Sequence, residues 1–333
     1  MEITRRDFIK TAVTSMAACR TGPAMTVPGP GRRKFGVCTA LFTPFTKDDR
    51  VNEEMVETLV EYGIEHGIDG FYLTGGTGEG LLMSNAERVQ VYRAAVRAAH
   101  GRAKLIAHVG CVNTDDAVRL ASDAADAGCD WVSSVPPVYY AQNPDGVYNH
   151  YKLISGATDL PFMIYAASGI VDPERDARLF DLKNVNGMKY TGTAFYDVQR
   201  LKRRLGKDAV FVSGSDQHFL AALAFPDVFE GSIGTLQNVI PDHFVRIWRL
   251  AEANDFRAAA GVQAEANRAV EFVCHTFKNH SLRKAAMRYI GFDCGSFRPP
   301  YRPYTEAEYA EFCAGAQALG ILQKGVNHEN ETV

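Results

Sequence analysis

The sequence has no long apolar run and no strongly basic segment. A transmembrane helix needs about 20 consecutive apolar residues, and no segment of the 333 residues approaches that length. The 36 basic and 39 acidic side chains give a formal net charge of −3 at pH 7, and no run of five or more Lys or Arg occurs. Such a chain offers no electrostatic surface for nucleic acid or an anionic membrane. We therefore expect no transmembrane span and no nucleic-acid partner.

The spacing of metal ligands is also absent. None of the seven cysteines pairs with another as C-x-x-C, which argues against a structural zinc site. A metal-dependent aldolase needs several His or carboxylate side chains converging at the strand ends. His108 lies near the end of the third predicted strand and His218 after the seventh, whereas His275 and His280 lie in the predicted C-terminal helices. We therefore predict no metal.

The first 34 residues differ in character from the rest. Arg5 and Arg6 precede a short, weakly apolar stretch and then a segment rich in Pro and Gly, an order that resembles a twin-arginine export signal. An amphipathic first helix of the fold is the alternative. We predict a signal and linker over residues 1–34, a mature chain that begins near Phe35, and export to the periplasm. The residues before Cys19 also weakly resemble a lipoprotein cleavage site, which would place a lipid anchor on that cysteine.

Short apolar runs alternate with longer segments of helical period from Gly36 onward. The composition, with 46% hydrophobic and 23% charged residues, is that of a globular protein, and the length alone allows two domains or one α/β barrel. Short strands that are nearly all apolar and separated by helices are typical of parallel strands buried on both faces. Eight runs qualify as strands: 36–42, 70–73, 104–109, 131–135, 161–165, 187–189, 210–213 and 231–234.

Eight such β/α units predict a closed (β/α)₈ barrel, a TIM barrel, over residues 35–240. A helical region packed on the barrel is predicted over residues 241–325, and a flexible tail over 326–333. Asn52, Asn113 and Asp172 stand where helix N-caps are expected. The catalytic residues of such barrels lie at the carboxyl ends of the strands. Polar residues that end the predicted strands are therefore the candidates for a functional site.

The second predicted strand leads into a glycine-rich turn, Gly75-Gly76-Thr77-Gly78-Glu79. A turn of this kind ahead of a helix exposes backbone N–H groups that favour an anionic ligand such as a carboxylate or phosphate. It has neither the lysine and spacing of a P-loop nor the pattern G-x-G-x-x-G, so nucleotide binding is disfavoured. A purely structural turn remains the alternative.

The sixth predicted strand ends at Lys189, which places an ammonium group at the mouth of the barrel. A buried charge is costly unless it has a function or a partner, and burial favours the neutral amine that attacks a carbonyl. An ion pair with a nearby carboxylate is the alternative. Tyr165 ends the fifth strand and Tyr139 follows the fourth. Phenols at these places can transfer protons, although buried tyrosines commonly only satisfy their hydroxyl in a core.

Polar side chains also follow the last two predicted strands. Asp216 and Gln217 come after the seventh strand, and Thr235 comes after the eighth. These three side chains are candidate hydrogen-bonding partners of a polyhydroxy ligand.

Four spaced motifs carry a resemblance to a known family. In their order along the chain they resemble the dihydrodipicolinate synthase and N-acetylneuraminate lyase family of pyruvate-dependent class I aldolases. The resemblance covers roughly residues 35–322 and is closest to the N-acetylneuraminate lyase branch. The motifs are GVCTALFTPF (36–45), GIDGFY (67–72), GGTGE (75–79) and KLIAHVGCV (104–112).

The resemblance implies a role for each matching residue. Lys189 would form a Schiff base with a 2-oxo acid, without an external cofactor, and Tyr165 would move the proton of the C4 hydroxyl. The backbone of Gly76 and Thr77 would hold the substrate carboxylate, and Tyr139 would reach into the site of a neighbouring subunit of a homotetramer. The other substrate-binding residues that the resemblance implies are Tyr72, Thr191, Asp216, Gln217 and Thr235.

The sequence also departs from the family pattern. Gly76 stands where Ser or Thr is usual, and Gln217 stands where the sialic acid lyases have Glu. After Tyr165 the usual Asn-x-Pro is replaced and no Arg follows for a second carboxylate, which disfavours dihydrodipicolinate synthesis. We expect a carbon–carbon lyase that cleaves a 2-oxo-3-deoxy sugar acid such as N-acetylneuraminate. The alternatives are a dehydratase or aldolase for another keto-deoxy sugar acid, and a non-catalytic exported sugar-acid-binding protein.

Overall fold

The structure, a computed structural model, describes residues 35–139, 143–206, 208–225 and 227–325. The eight predicted strands and the predicted C-terminal helical region lie within these ranges. The predicted export segment and the predicted tail lie outside the described residues.

Eight parallel strands close into a barrel, which confirms the predicted TIM-barrel fold. Each strand pairs with its neighbours in chain order, and the first strand also pairs with the eighth. The strands are β1 (Gly36–Ala40), β2 (Gly70–Leu73), β3 (Lys104–His108), β4 (Trp131–Ser134), β5 (Phe162–Ala166), β6 (Val185–Tyr190), β7 (Val210–Ser213) and β8 (Phe229–Gly234).

At two of the strand boundaries that differ from the sequence prediction, a side chain contacts a residue outside the barrel strands. β1 ends before Phe42, whose ring packs 6.1 Å from that of Phe297 in the C-terminal region. β8 begins two residues earlier than predicted and includes Glu230, whose carboxylate lies 2.9 Å from the Nζ of Lys202. A charged residue such as Glu230 can belong to a buried strand because its side chain pairs with a lysine on a covering helix, so an apolar run does not mark the whole strand.

Side chains alternate between the inside of the barrel and the helices that surround it. Inside the barrel, mostly apolar side chains fill the space, because the interior of this fold is a packed core and not a pore. Outside, the strands pack on the helices through a larger apolar cluster. The interior cluster contains Phe35, Cys38, Ala40, Tyr72, Ile106, Met163, Val212 and Ile233.

Helices follow the strands, and three of them begin at the predicted N-caps. The side chains of Asn52, Asn113 and Asp172 accept hydrogen bonds from backbone N–H groups of the first helical turns. The helices are α1 (Glu53–Glu65), α2 (Asn85–Ala99), α3 (Thr114–Ala127), α4 (Pro144–Gly156), α5 (Pro173–Asp176), α6 (Phe195–Leu205), α7 (Phe219–Leu223), α8 (Pro241–Glu252), α9 (Phe256–Glu271), α10 (Leu282–Tyr289) and α11 (Glu306–Leu319).

The C-terminal helices are tied to the glycine-rich turn by a buried ion pair. Lys284 of α10 is fully buried, and its Nζ lies 2.7 Å from Oε1 of Glu79. The second carboxylate oxygen of Glu79 accepts the backbone N–H of Arg298 at 2.7 Å. The helices after β8 therefore help to hold the β2 end of the barrel mouth. Over the described ranges, no helix combines the length and the apolar character that a membrane crossing requires.

Candidate active site

Lys189 lies inside the barrel near its mouth, between two tyrosine rings. It comes from β6, where Met188 and Tyr190 face outward into an apolar cluster and Lys189 faces inward. Its Nζ lies 4.1 Å from the ring centroid of Tyr72 and 4.3 Å from that of Tyr165. The side chain is 4% exposed. The aromatic faces partly compensate the loss of water around the cation.

Burial lowers the pKa of Lys189 below the usual 10.5, while Tyr165, Asp216 and Cys38 oppose that shift. Among the described residues no carboxylate lies within 4.0 Å of its Nζ, so the alternative of a structural ion pair does not fit. A desolvated amine with a lowered pKa has a larger neutral, nucleophilic fraction at physiological pH than an exposed lysine.

The two tyrosines and a histidine form one wall of the site. The rings of Tyr72 and Tyr165 meet edge to face at 6.0 Å, and the ring of His108 lies 5.8 Å from Tyr72 and 6.4 Å from Tyr165. The Tyr72 hydroxyl lies 3.0 Å from Oγ of Ser133. Burial raises the pKa of Tyr72 well above its usual value, so this phenol stays protonated and available as a hydrogen-bond donor.

His108 and Arg88 are components of this wall that sequence reasoning did not find. His108 lies 3.2 Å from the Thr74 carbonyl through Nδ1, and burial with the charges of Arg88 and Lys189 lowers its pKa to about 3. Arg88, 1% exposed, donates to the carbonyls of His108 and Gly110. In the sequence His108 is weighed only as a possible metal ligand and set aside, and no local pattern singles out Arg88. The inward position of Arg88 shows only when the helix is docked on the barrel.

The glycine-rich turn brings exposed backbone N–H groups to the same rim. Its hydrogen bonds run from Glu79 N to Gly76 O and from Gly80 N to Gly75 O, and no described acceptor engages the N–H of Gly76 or Thr77. A Cβ on Gly76 would meet no atom within 4 Å. Thr77 Oγ1 lies 2.7 Å from Thr235 Oγ1, so the predicted positions after β2 and β8 meet at the mouth.

Asp216 and Thr191 complete the polar lining. Oδ2 of Asp216 accepts the backbone N–H groups of Thr235 and Leu236 at 2.8 and 3.0 Å, whereas Oδ1 is buried without a described partner. The hydroxyl of Thr191 is also buried without a described partner. A Cβ on Gly214 would clash with that hydroxyl and lie 3.2 Å from Cε of Lys189. Thr191, Gly214 and the Lys189 side chain are therefore neighbours.

Two predicted residues lie outside this buried group. Gln217 is exposed, and its carbonyl accepts a hydrogen bond from Asn267 at 3.4 Å. Tyr139 is 90% exposed and has a positive φ of 78°. The roles of both residues stay predictions. Among residues 35–139, 143–206, 208–225 and 227–325, no group of three His, Cys, Asp or Glu side chains has the arrangement of a metal site.

Replacing Gly214 with alanine is expected to impair the site without unfolding the protein. The added Cβ must displace Thr191 or the Lys189 side chain, and overpacking of this kind costs about 1–3 kcal/mol. We expect at least about a tenfold loss of activity, since catalysis depends on the placement of reacting groups. Gly261→Ala on α9, where a Cβ meets nothing within 4 Å, is the control and should keep full activity. Equal activity of both variants would contradict this neighbourhood.

The ionisation of Asp216 is expected to make stability depend on pH. Burial raises its pKa to about 6 from an ordinary 3.8. The pKa of Asp216 is higher in the folded than in the unfolded chain, so the neutral carboxyl group favours the folded state. This contribution to stability is complete at low pH and is lost as the pH rises through about 6. Asp216→Asn should therefore be more stable than the parent by up to about 3 kcal/mol at pH 8 and by about half of that at pH 5. Urea unfolding at the two pH values measures this, with the exposed Asp123→Asn as control. A gain that does not change with pH would contradict it.

Known proteins resemble this chain over most of its length. The model of the Dihydrodipicolinate synthetase family matches residues 34–319. An N-acetylneuraminate lyase of Rhizobium meliloti (strain 1021) is 33% identical over 279 residues, which cover 83% of this chain and 92% of the relative. One of Escherichia coli (strain SMS-3-5 / SECEC) is 32% identical over 290 residues, covering 85% and 96%.

Solved structures agree with the sequence relatives. N-acetylneuraminate lyase from Mycoplasma synoviae superposes with a TM-score of 0.79 at 30% identity and covers 87% of this chain and 98% of its own. Dihydrodipicolinate synthase from Aquifex aeolicus, at 24% identity and a TM-score of 0.80 over 88% of this chain and all of its own, shares the fold. The chain therefore belongs to the dihydrodipicolinate synthetase family, and it is a class I aldolase-type lyase of a family whose enzymes form a Schiff base on a lysine without an external cofactor.

Proposed function

We propose that Lys189 forms a Schiff base with a 2-oxo-3-deoxy sugar acid, such as N-acetylneuraminate, and that the enzyme cleaves it to pyruvate and an aldehyde sugar. The observation that carries the proposal is the buried amine of Lys189, its pKa lowered by burial, held between the rings of Tyr72 and Tyr165 at the carboxyl end of β6. Barrels of this fold have their chemistry at this end. The curated relatives at 32–33% identity are named N-acetylneuraminate lyases.

The proposed reaction uses the lysine as a nucleophile and then as an electron acceptor. The neutral amine of Lys189 adds to the C2 carbonyl, and loss of water gives an iminium. Tyr165 takes the proton of the C4 hydroxyl while the bond between C3 and C4 breaks. The bonding electrons move into the iminium and form an enamine, and the aldehyde leaves. Protonation of C3 and hydrolysis then release pyruvate and restore the amine.

Polar groups around the mouth fit the two ends of such a substrate. The N–H groups of Gly76 and Thr77 suit the carboxylate at C1. The buried oxygens of Asp216 and Thr191 without described partners are suited to hydroxyls, because a buried polar group costs about 1–3 kcal/mol while unpaired. In this proposal Thr235, with its hydroxyl on Thr77, and Gln217 contact the rest of the tail.

Reductive trapping tests the proposal before the sugar is identified. The protein is treated with borohydride in the presence of pyruvate, followed by intact mass and peptide mapping. We expect one reduced pyruvate adduct, on Lys189. Folded protein that gives no adduct, or gives it on another lysine, would refute the assigned role.

A dehydratase or aldolase acting on another keto-deoxy sugar acid is the second candidate. The turn Gly75-Gly76-Thr77-Gly78-Glu79 supports it, because this turn also resembles the branch of the family that dehydrates keto-deoxy-glucarate. Product analysis separates the reactions: pyruvate with an aldehyde sugar supports the lyase, and loss of water without pyruvate supports the dehydratase. Tight binding without turnover, unaffected by Lys189→Ala, would instead indicate a sugar-acid-binding protein.

We also propose that the enzyme is an exported homotetramer. The exposed Tyr139 supports assembly, since large aromatic residues are enriched at protein interfaces. Analytical sedimentation should give the mass of four copies, and a monomer would refute the tetramer.

Arg5 and Arg6 support export through the twin-arginine pathway. Arg5→Lys with Arg6→Lys should retain the protein in the cytoplasm, and unchanged location would refute export. Intact mass of the mature protein reveals whether Cys19 carries a lipid.

A further inference from the structure

A cavity of about 340 Å³ lies on the outer side of the barrel, behind the strands that carry Tyr165 and Lys189. Ile164 of β5 and Met188 of β6 border it, and both belong to the apolar clusters outside the barrel. These two residues pair in register next to the pair Tyr165 and Lys189. Because successive residues of a strand face opposite sides of the sheet, the two strands separate the cavity from the amine of Lys189. Of the residues grouped around that amine, Tyr165 also lines the cavity.

Apolar and aromatic side chains form most of the cavity wall. The loop after β4 contributes two prolines, α4 contributes a third with a valine and a tyrosine, and the segment after α5 contributes a phenylalanine. These residues are Pro136, Pro137, Pro144, Val147, Tyr151 and Phe180. Ligand pockets have volumes of about 300–1,000 Å³. The cavity is at the lower end of that range and has room for a small molecule with one or two rings.

The polar side of the cavity has a net positive charge, because Arg175, Arg178 and Asp176 line it. Both carboxylate oxygens of Asp176 are engaged, since Arg175 donates to them at 2.7 and 3.0 Å. Arg178 lies 2.9 Å from Oδ1 of Asp145, whose side chain is 89% exposed, and exposed ion pairs are weak. Nη2 of Arg178 is buried and makes no hydrogen bond to a described residue. A ligand carboxylate would supply the acceptor that this donor lacks.

We propose that this cavity is a second ligand site, separate from Lys189, and that it binds a small aromatic carboxylic acid. The ring lies among the prolines and Phe180, whose flat apolar surfaces suit an aromatic face. The carboxylate lies against Arg178, because a guanidinium presents a planar fork of donors that matches a carboxylate. The guanidinium is held for this contact by the ring of Tyr148, whose centroid lies 5.1 Å away. This site is independent of the reaction proposed for Lys189.

Calorimetry with two probes of nearly equal shape tests the charge of the ligand. Phenylacetate has a carboxylate where phenylacetamide has a neutral amide, and neither has a ketone that reacts with Lys189. On the full-length protein we expect phenylacetate to bind with a Kd of about 1 mM or below, and phenylacetamide to bind about tenfold more weakly. Arg178→Met should weaken phenylacetate about tenfold and leave phenylacetamide within about threefold. Arg178→Lys should retain part of the preference. Arg203→Met removes an exposed arginine of α6 and should change neither affinity.

Filling the cavity tests where the probe binds. Val147→Phe places a ring in the cavity, so phenylacetate should bind at least about tenfold more weakly, because a packed interior leaves no room for both rings. Leu153→Phe adds the same ring on α4 at a position that is 48% exposed, and it should bind phenylacetate as the wild type does. Both variants should still be trapped by pyruvate on Lys189, which shows that they fold.

Blocking the catalytic site first distinguishes the two sites. Protein that carries reduced pyruvate on Lys189 should bind phenylacetate within about threefold of the untreated protein. Loss of binding after this treatment, or unchanged binding in Val147→Phe, would overturn the inference. Equal affinity of the wild type for both probes, or no measurable binding of phenylacetate, would also overturn it. A wild type that cannot be trapped would refute the Schiff-base role and leave the tests with Arg178 and Val147 intact.

Discussion

Lys189→Met is expected to lose at least about 10⁴-fold of the activity and all trapping with pyruvate, because no other nucleophile replaces the amine. The same change should stabilise the protein at pH 7 by about 1 kcal/mol or more, since an apolar side chain of similar length replaces a desolvated amine. Loss of function together with a gain in stability distinguishes a reactive lysine from a structural one. Activity assays and urea unfolding measure the two effects.

The pH dependence of that gain follows from the direction of the pKa shift. The folded pKa of Lys189 lies below the usual 10.5, so between the two values the unfolded chain binds more protons and the wild type gains stability as the pH rises. The advantage of Lys189→Met should therefore shrink from pH 7 to pH 10. Lys152→Met, at an exposed position of α4, is the control and should alter neither activity nor this slope. A destabilised Lys189→Met would contradict the account.

Lys284→Met is expected to lower the free energy of unfolding by about 3–5 kcal/mol, because it leaves the buried carboxylate of Glu79 without its counter-charge. Both side chains of this pair are 1% exposed or less. Glu79 stands in the glycine-rich turn with a positive φ of 57°, so the turn should also loosen. We expect a raised KM for substrates that bind through their first carboxylate. Equilibrium unfolding and steady-state kinetics test the two consequences.

A surface ion pair of equal length provides the matched control. Lys183 and Asp159 are also separated by 2.7 Å, but their side chains are 58% and 94% exposed. Lys183→Met should change stability by less than about 1 kcal/mol. In Lys284→Met combined with Glu79→Gln, part of the loss should be recovered because no charge stays buried alone. If the two single lysine variants lose the same stability, burial does not decide the strength of the pair.

The sequence by itself determined the order of strands, the closed barrel and three helix starts at Asn52, Asn113 and Asp172. These features depend on side chains close together in the chain, because hydrophobic period and N-caps are local. The same locality placed Lys189 and Tyr165 at strand ends. The family motifs then implied their roles, which stay predictions until trapping and mutagenesis test them.

Only the tertiary structure decided which side chains meet. Glu79 and the backbone of Arg298 are 219 residues apart in sequence, and no local pattern identifies such partners. Arg88 belongs to α2, and its side chain reaches the carbonyls of His108 and Gly110 only when that helix docks on the barrel. The burial of Lys189 arises from packing between residues distant in the sequence, and that burial lowers the pKa of its amine.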